Sequence, residues 1–169
     1  MGRRSLRGRP PIRTWDTSRL PPDSLASIRS PWGSGAAYCE PVIAEHIAGR
    51  ADWNVATIAV SVNVTFSGLR GGACRWTPVD HYSGKPVVAV SLFPYHADIV
   101  AGDDPARAAA YRETLRTLVS DSSHENLSLI EGEKLLSVPG LMDDALHPGV
   151  AGMIEIGRNL ATELAPLFE

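Results

Sequence analysis

The chain of 169 residues contains only two cysteines, Cys39 and Cys74. Such a pair offers neither a disulfide framework nor zinc-ligand spacing, so a reducing, cytoplasmic compartment is the default. No apolar run approaches the roughly 18 residues that span a bilayer, so no membrane helix is expected. There is no cationic excess either. The net charge is −3, and composition gives no reason to expect a nucleic acid partner. What remains, 44% hydrophobic and 21% charged residues, is the make-up of one soluble domain with a real core.

The charges are unevenly spread. Residues 1–32 hold Arg3, Arg4, Arg7, Arg9, Arg13, Arg19 and Arg29 against Asp16 and Asp23, together with Pro10, Pro11, Pro21, Pro22 and Pro31. This head has no sustained periodicity and little apolar surface to bury, so it is expected to be disordered. The Arg3-Arg4 pair lacks the apolar segment that an export signal needs. The rest of the chain, 33–169, is acidic and carries the periodic segments.

Residues 39–50 read as a helix, with Glu40 and Pro41 in its first turn and Val42, Ile43, His46 and Ile47 on one face. Residues 55–62, Val-Ala-Thr-Ile-Ala-Val-Ser-Val, are nearly continuous and rich in β-branched side chains, the pattern of a strand buried on both faces. Residues 87–93 repeat that pattern and stop at Pro94. Residues 105–119 predict a helix capped by Asp103 or Asp104, with Ala109, Leu115, Leu118 and Val119 inward. Residues 127–130 predict a third strand, and 132–136 a helical turn. Residues 149–167 predict a last helix that buries Val150, Met153, Ile154, Ile156, Leu160, Leu164 and Leu167. Strands alternating with helices imply parallel βαβ units in a layered α/β domain. Between the first two strands, Gly68, Gly71, Gly72 and Pro78 make the expected crossover helix unlikely.

The chemistry concentrates in Leu141-Met-Asp-Asp-Ala-Leu-His-Pro-Gly149. Asp144 and His147 stand three apart, and Pro148 pushes His147 out of the helical region. Asp144 is within reach of the ring Nδ1–H, a contact that would leave Nε2 free as a general base. The same string also suits a helix-capping Asp beside a surface His. A cation site from His96, Asp98, Asp144 and His147 has plausible ligand types but no tight spacing, and no metal is expected.

In order along the chain, these segments resemble an SGNH (GDSL-type) hydrolase over about residues 33–169. The family's last motif, D-x-x-H followed by Pro, matches Asp144-Ala-Leu-His147-Pro148. Its glycine in a small-residue turn matches Gly35, and its asparagine after a buried strand matches Asn63, although the usual G-x-N-D wording is replaced by Ser61-Val62-Asn63-Val64. The resemblance implies a flavodoxin-like three-layer α/β/α sandwich with a parallel sheet, incomplete at its N-terminus. It also implies a serine esterase or acylhydrolase that acts on a small-molecule ester with no cofactor. Asp144 would orient His147, while Gly35 and Asn63 would hold the oxyanion.

The family's nucleophile motif, G-D-S-L, is approached only by Pro22-Asp23-Ser24-Leu25. Proline replaces the glycine, no apolar strand precedes it, and too few residues separate Ser24 from Gly33 for a helix and a strand. The expectation is a truncated or frame-disrupted relative with impaired hydrolysis, Ser24 being its one candidate nucleophile. The alternative is a non-catalytic α/β module that binds a ligand or partner in the same cleft. Acyl and alcohol specificity and oligomeric state are left open.

Overall fold

The structure, a computed structural model, describes residues 45–47, 49–50, 53–59, 62 and 84–168. The chain divides into two units, Met1–Pro31 and Trp32–Glu169, and every described residue belongs to the second. The expectations for the Arg/Pro-rich head and for the interval around Gly68–Gly72 fall outside the described residues.

Three strands of four residues, β1 (Ala56–Ala59), β2 (Val87–Val90) and β3 (Leu127–Ile130), form one sheet in the order β1-β2-β3. Both pairings are parallel, and Ile58, Ala89 and Leu129 share one row. Strand β2 is shorter than its apolar run and ends at Val90, in the last row it shares with β3. Val62, expected at the end of the first strand, is helical.

Helix α1 (His96–Ile99) is a single turn after β2. Helix α2 (Pro105–Ser120) leads from it to β3. Asp104, not Asp103, is the N-cap of α2: its carboxylate accepts from Arg107 N at 2.9 Å, and Pro105 supplies a first helical residue with no amide to satisfy. A turn α3 (Gly132–Leu135) and a 3-10 turn (Val138–Gly140) follow β3. Helix α4 (Val150–Leu164) and a 3-10 turn (Ala165–Phe168) close the chain.

The helices cover opposite faces of the sheet. On one, Ala108, Tyr111 and Leu115 of α2 pack with Leu92, Tyr95 and Ala97, and with Ile58 and Leu129 from the strands. On the other, Leu164 and Leu160 of α4 pack on Val88, Val90, Ile130 and Leu135. The result is the expected three-layer α/β/α sandwich around a parallel sheet. Strand β2, in the middle, is buried on both faces as its composition predicts.

Four expectations about burial need correction. Strand β1 alternates instead of being buried throughout: Thr57 and Ala59 are exposed, because among the described residues β1 pairs only with β2. In α2 the inward row is Ala108, Tyr111, Arg112 and Leu115, whereas Ala109 and Leu118 face out. In α4 the inward row is Gly152, Ile156, Leu160 and Leu164. Val150, Met153, Ile154 and Leu167 are exposed, since one helix can present only one face to the sheet. His46, placed on the apolar face of its helix by sequence, is exposed, while Ile47 packs with Val87 and Leu127.

Candidate functional site

In a parallel sheet the ends of the strands where carbonyls emerge are the usual place for chemistry, because helices start there and loops have room. Two connections meet at that edge here. After β2, the segment Ser91–Tyr95 runs buried along the crest, and after β3, Gly132 comes so close to it that a Cβ would strike the Ser91–Leu92 backbone. Ser91 ties the two together: its hydroxyl donates to Glu131 Oε2 at 2.7 Å and accepts from Gly132 N at 2.9 Å. Arg116 Nε donates to the other Glu131 oxygen at 2.6 Å. Burial works against ionisation of Glu131, but the bonds from Arg116 and Ser91 outweigh it and hold the carboxyl below its usual range.

The loop that bears Asp144 and His147 is closed on itself just before α4. Leu141 and Pro148 form an antiparallel bridge, Met142 N donates to His147 O at 2.8 Å, and Gly149 N donates to Gly140 O at 2.9 Å. Within it, one Asp144 oxygen accepts the backbone N–H groups of Leu146 and His147, both at 3.0 Å. The other lies 2.7 Å from His147 Nδ1. These three bonds, led by the backbone N–H of His147, pull the Asp144 carboxyl down to about 2. Ala145, between the pair, is bent to φ 51°, a left-handed conformation that costs a non-glycine residue about 1 kcal/mol.

An ionised carboxylate can only accept. The proton between the two residues therefore sits on His147 Nδ1, and in the neutral ring Nε2 is left as the base. Both side chains are well exposed, 65% for His147 and 44% for Asp144, so that nitrogen is accessible. Leu146, between them in sequence, packs on the cluster of Leu92, Tyr95 and Ala97, against which Val62 also packs. That contact seats the His147 loop on the same apolar cluster as Val62.

A second imidazole–carboxylate pair stands on the crest. His96 Nδ1 contacts Asp103 Oδ2 at 2.5 Å, and the ring meets Tyr95 edge-on at 4.9 Å between centroids. The His96 contact, helped by the N–H of Asp104, holds the Asp103 carboxyl below its usual range. Asp98, grouped with His96 by sequence as a possible ligand, is instead committed to Arg112 and to Tyr95 N. No group of three or more His, Cys, Asp or Glu side chains that could hold a metal ion occurs among the described residues.

Of the residues singled out by sequence, Asp144 and His147 are thus brought together. Ser24, Gly35 and Asn63 lie outside the described residues. Among the described residues, His147's ring is bonded to Asp144 and to no serine. Arg112, Ser91 and Glu131, which brace the crest, were passed over in the sequence. The one available signal was the position of Arg112 on the same helical row as Ala108 and Leu115.

No family model matches this chain, and no curated protein does. Among solved structures, the chain is similar to a salicylyl-acyltransferase from a tetracycline biosynthetic pathway, with a TM-score of 0.60 and 16% sequence identity. The match covers 77% of this chain and 42% of the neighbour, so the chain spans less than half of that protein's length. At this identity the likeness shows the fold, an open α/β sandwich. Among the described residues no helix is long and apolar enough to cross a membrane.

Proposed function

We propose that this chain is an acyl-transfer domain of the serine-esterase kind, with His147 as general base and Asp144 as the residue that orients it. The observation that carries the reading is the 2.7 Å contact between His147 Nδ1 and Asp144 Oδ2, in a loop closed by its own backbone and anchored at the crest of a parallel sheet. A base so held needs no reorganisation before it takes a proton.

In this reading a serine hydroxyl gives its proton to His147 Nε2 as its oxygen attacks an ester carbonyl. The tetrahedral oxyanion is met by the N–H of Gly35 and the side-chain amide of Asn63, in the roles that the SGNH resemblance gives them. Collapse expels the alcohol, which regains the proton from His147, and leaves an acyl-serine. Attack by water completes hydrolysis, and attack by a second alcohol completes transfer. The name of the structural neighbour, an acyltransferase, fits the same covalent intermediate. The missing G-D-S-L wording predicts slow turnover.

Hydrolysis of p-nitrophenyl acetate tests the proposal. The wild-type chain is expected to hydrolyse it above the buffer rate. His147→Ala is expected to bring the rate to background, and Asp144→Asn to lower it by on the order of a thousandfold or more, because an amide favours the wrong tautomer. A rate that survives His147→Ala contradicts the reading.

A further inference from the structure

We infer that His96, oriented by Asp103, is a substrate-binding residue whose Nε2 accepts a hydrogen bond from a hydroxyl carried next to the substrate's ester group. The inference rests on the acyl-transfer reading for the ester alone, and the hydroxyl contact is tested apart from it.

The imidazole is not needed to close the turn in which it stands. Asp103 N donates to Val100 O, Val100 N donates to His96 O, and Gly102 supplies a left-handed residue at φ 89°. The ring is nevertheless fixed twice. Asp103 holds Nδ1, and the buried Tyr95 meets the ring edge-on. Asp103 is fixed in turn: its other oxygen accepts from Asp104 N at 2.8 Å, and Asp104 caps α2. An ionised Asp103 can only accept, so in the neutral ring the proton lies on Nδ1 and Nε2 is an acceptor. Among the described residues nothing bonds to that nitrogen, and 34% of the side chain is exposed. A ring held in one orientation with one open acceptor is prepared for a donor from outside.

Place and charge narrow that donor. Tyr95 and Ala97, on either side of His96 in sequence, belong to the apolar cluster on which Leu146 packs. His96 and His147 therefore each adjoin a residue seated in one cluster. The charges acting on Tyr95 are Asp98 and Asp103 against Arg107 and Arg112, which balance, so neither an anion nor a cation is drawn there. A hydroxyl fits as the neutral donor. It gives its proton to Nε2 while water solvates its oxygen at a surface this open.

Two pairs of esters that differ by hydroxyl against methyl test the inference and place the hydroxyl. Hydroxyethyl acetate and propyl acetate carry the difference in the alcohol. Ethyl lactate and ethyl isobutyrate carry it in the acyl group. The full chain is expected to favour the hydroxylated member of one pair by about tenfold in kcat/KM. His96→Ala is expected to abolish that preference, and His96→Gln, whose amide reaches the place of Nε2, to keep part of it. The unreactive amides of the same shapes, acetylethanolamine against propylacetamide and lactamide against isobutyramide, read binding without turnover. The hydroxylated amide of the favoured pair is expected to shift the Nε2 resonance of His96 in nitrogen NMR, and its methyl counterpart to leave it in place. Asp103→Asn is expected to move the ring proton to Nε2, a change that the same resonance reports. Failure of the chain to turn over any of the four esters contradicts the acyl-transfer reading, and the amide titration then decides the inference alone. Equal rates within both pairs, a preference that survives His96→Ala, or a His96 resonance indifferent to both hydroxylated amides overturns it.

Discussion

Arg112 grips Asp98 through two parallel bonds, 2.8 Å from one guanidinium nitrogen and 2.9 Å from the other, although Arg112 is only 3% exposed. The same guanidinium donates to the carbonyls of Leu92 and Phe93 at 3.0 and 3.1 Å. One side chain from α2 thereby fixes the whole segment between β2 and α1. Burial opposes the charge on Asp98, but the bonds from Arg112 prevail and hold its carboxyl below the usual range.

Arg112→Met is accordingly expected to destabilise the fold by about 3 kcal/mol, since it strands a carboxylate and two carbonyls at the crest. Arg112→Met with Asp98→Leu should recover part of that loss. Urea denaturation measures both. A single variant within 0.5 kcal/mol of wild type, by the ordinary scatter of surface changes, would show that the crest does not depend on this contact.

Tyr111 is buried in the α2 cluster, and its hydroxyl has no hydrogen-bond partner among the described residues. Burial pushes its ionisation well above the usual tyrosine range. An unsatisfied buried hydroxyl costs about 1 kcal/mol or more, so Tyr111→Phe is expected to raise stability by about that amount. A loss of stability in the same denaturation experiment would reveal a partner for the hydroxyl.

Gly152 of α4 packs directly on the Gly140 carbonyl, so that a Cβ at 152 would collide with backbone. Gly152→Ala is expected to cost roughly 2 kcal/mol, by forcing α4 away from the turn before it. An intrinsic helix preference alone predicts the opposite sign, a gain of about 1 kcal/mol. The sign of the change in thermal midpoint therefore separates packing from propensity.

The Asp144 loop should open in acid. Its carboxyl is depressed from 3.8 to about 2 by the bonds it accepts. A depressed group stabilises the folded form fully above its unfolded value and loses that effect as pH falls through its folded value. The amide resonances of Leu146 and His147 should therefore shift together, as Asp144 takes up its proton, with a midpoint near pH 2. A midpoint at or above 3.8 would mean that the three bonds to Asp144 do not persist in solution.

The sequence made the sandwich legible where composition and geometry agree. Strand β2 is apolar on both faces because it lies between α2 and α4, and Leu127–Ile130 has the length of its ladder. Asp144 and His147 were legible because both partners sit in one short loop whose proline sets its direction. What escaped was decided by neighbours distant in sequence. Arg112 reads as surface until Asp98 and two carbonyls are seen to surround it. Val150 and Ile154 read as core because an apolar residue in a helix does not reveal which flank meets the sheet. The exposure of Thr57 and Ala59 depends on what lies beyond β1, which the strand's own residues do not encode.

Labelling with a fluorophosphonate probe, followed by peptide mapping, tests the catalytic proposal most directly. A single labelled serine is predicted, and the label should vanish in His147→Ala while the variant stays folded. A folded wild-type chain that takes no label, or one whose labelling is indifferent to His147, would contradict the assignment of His147 and Asp144 as the machinery that activates a serine.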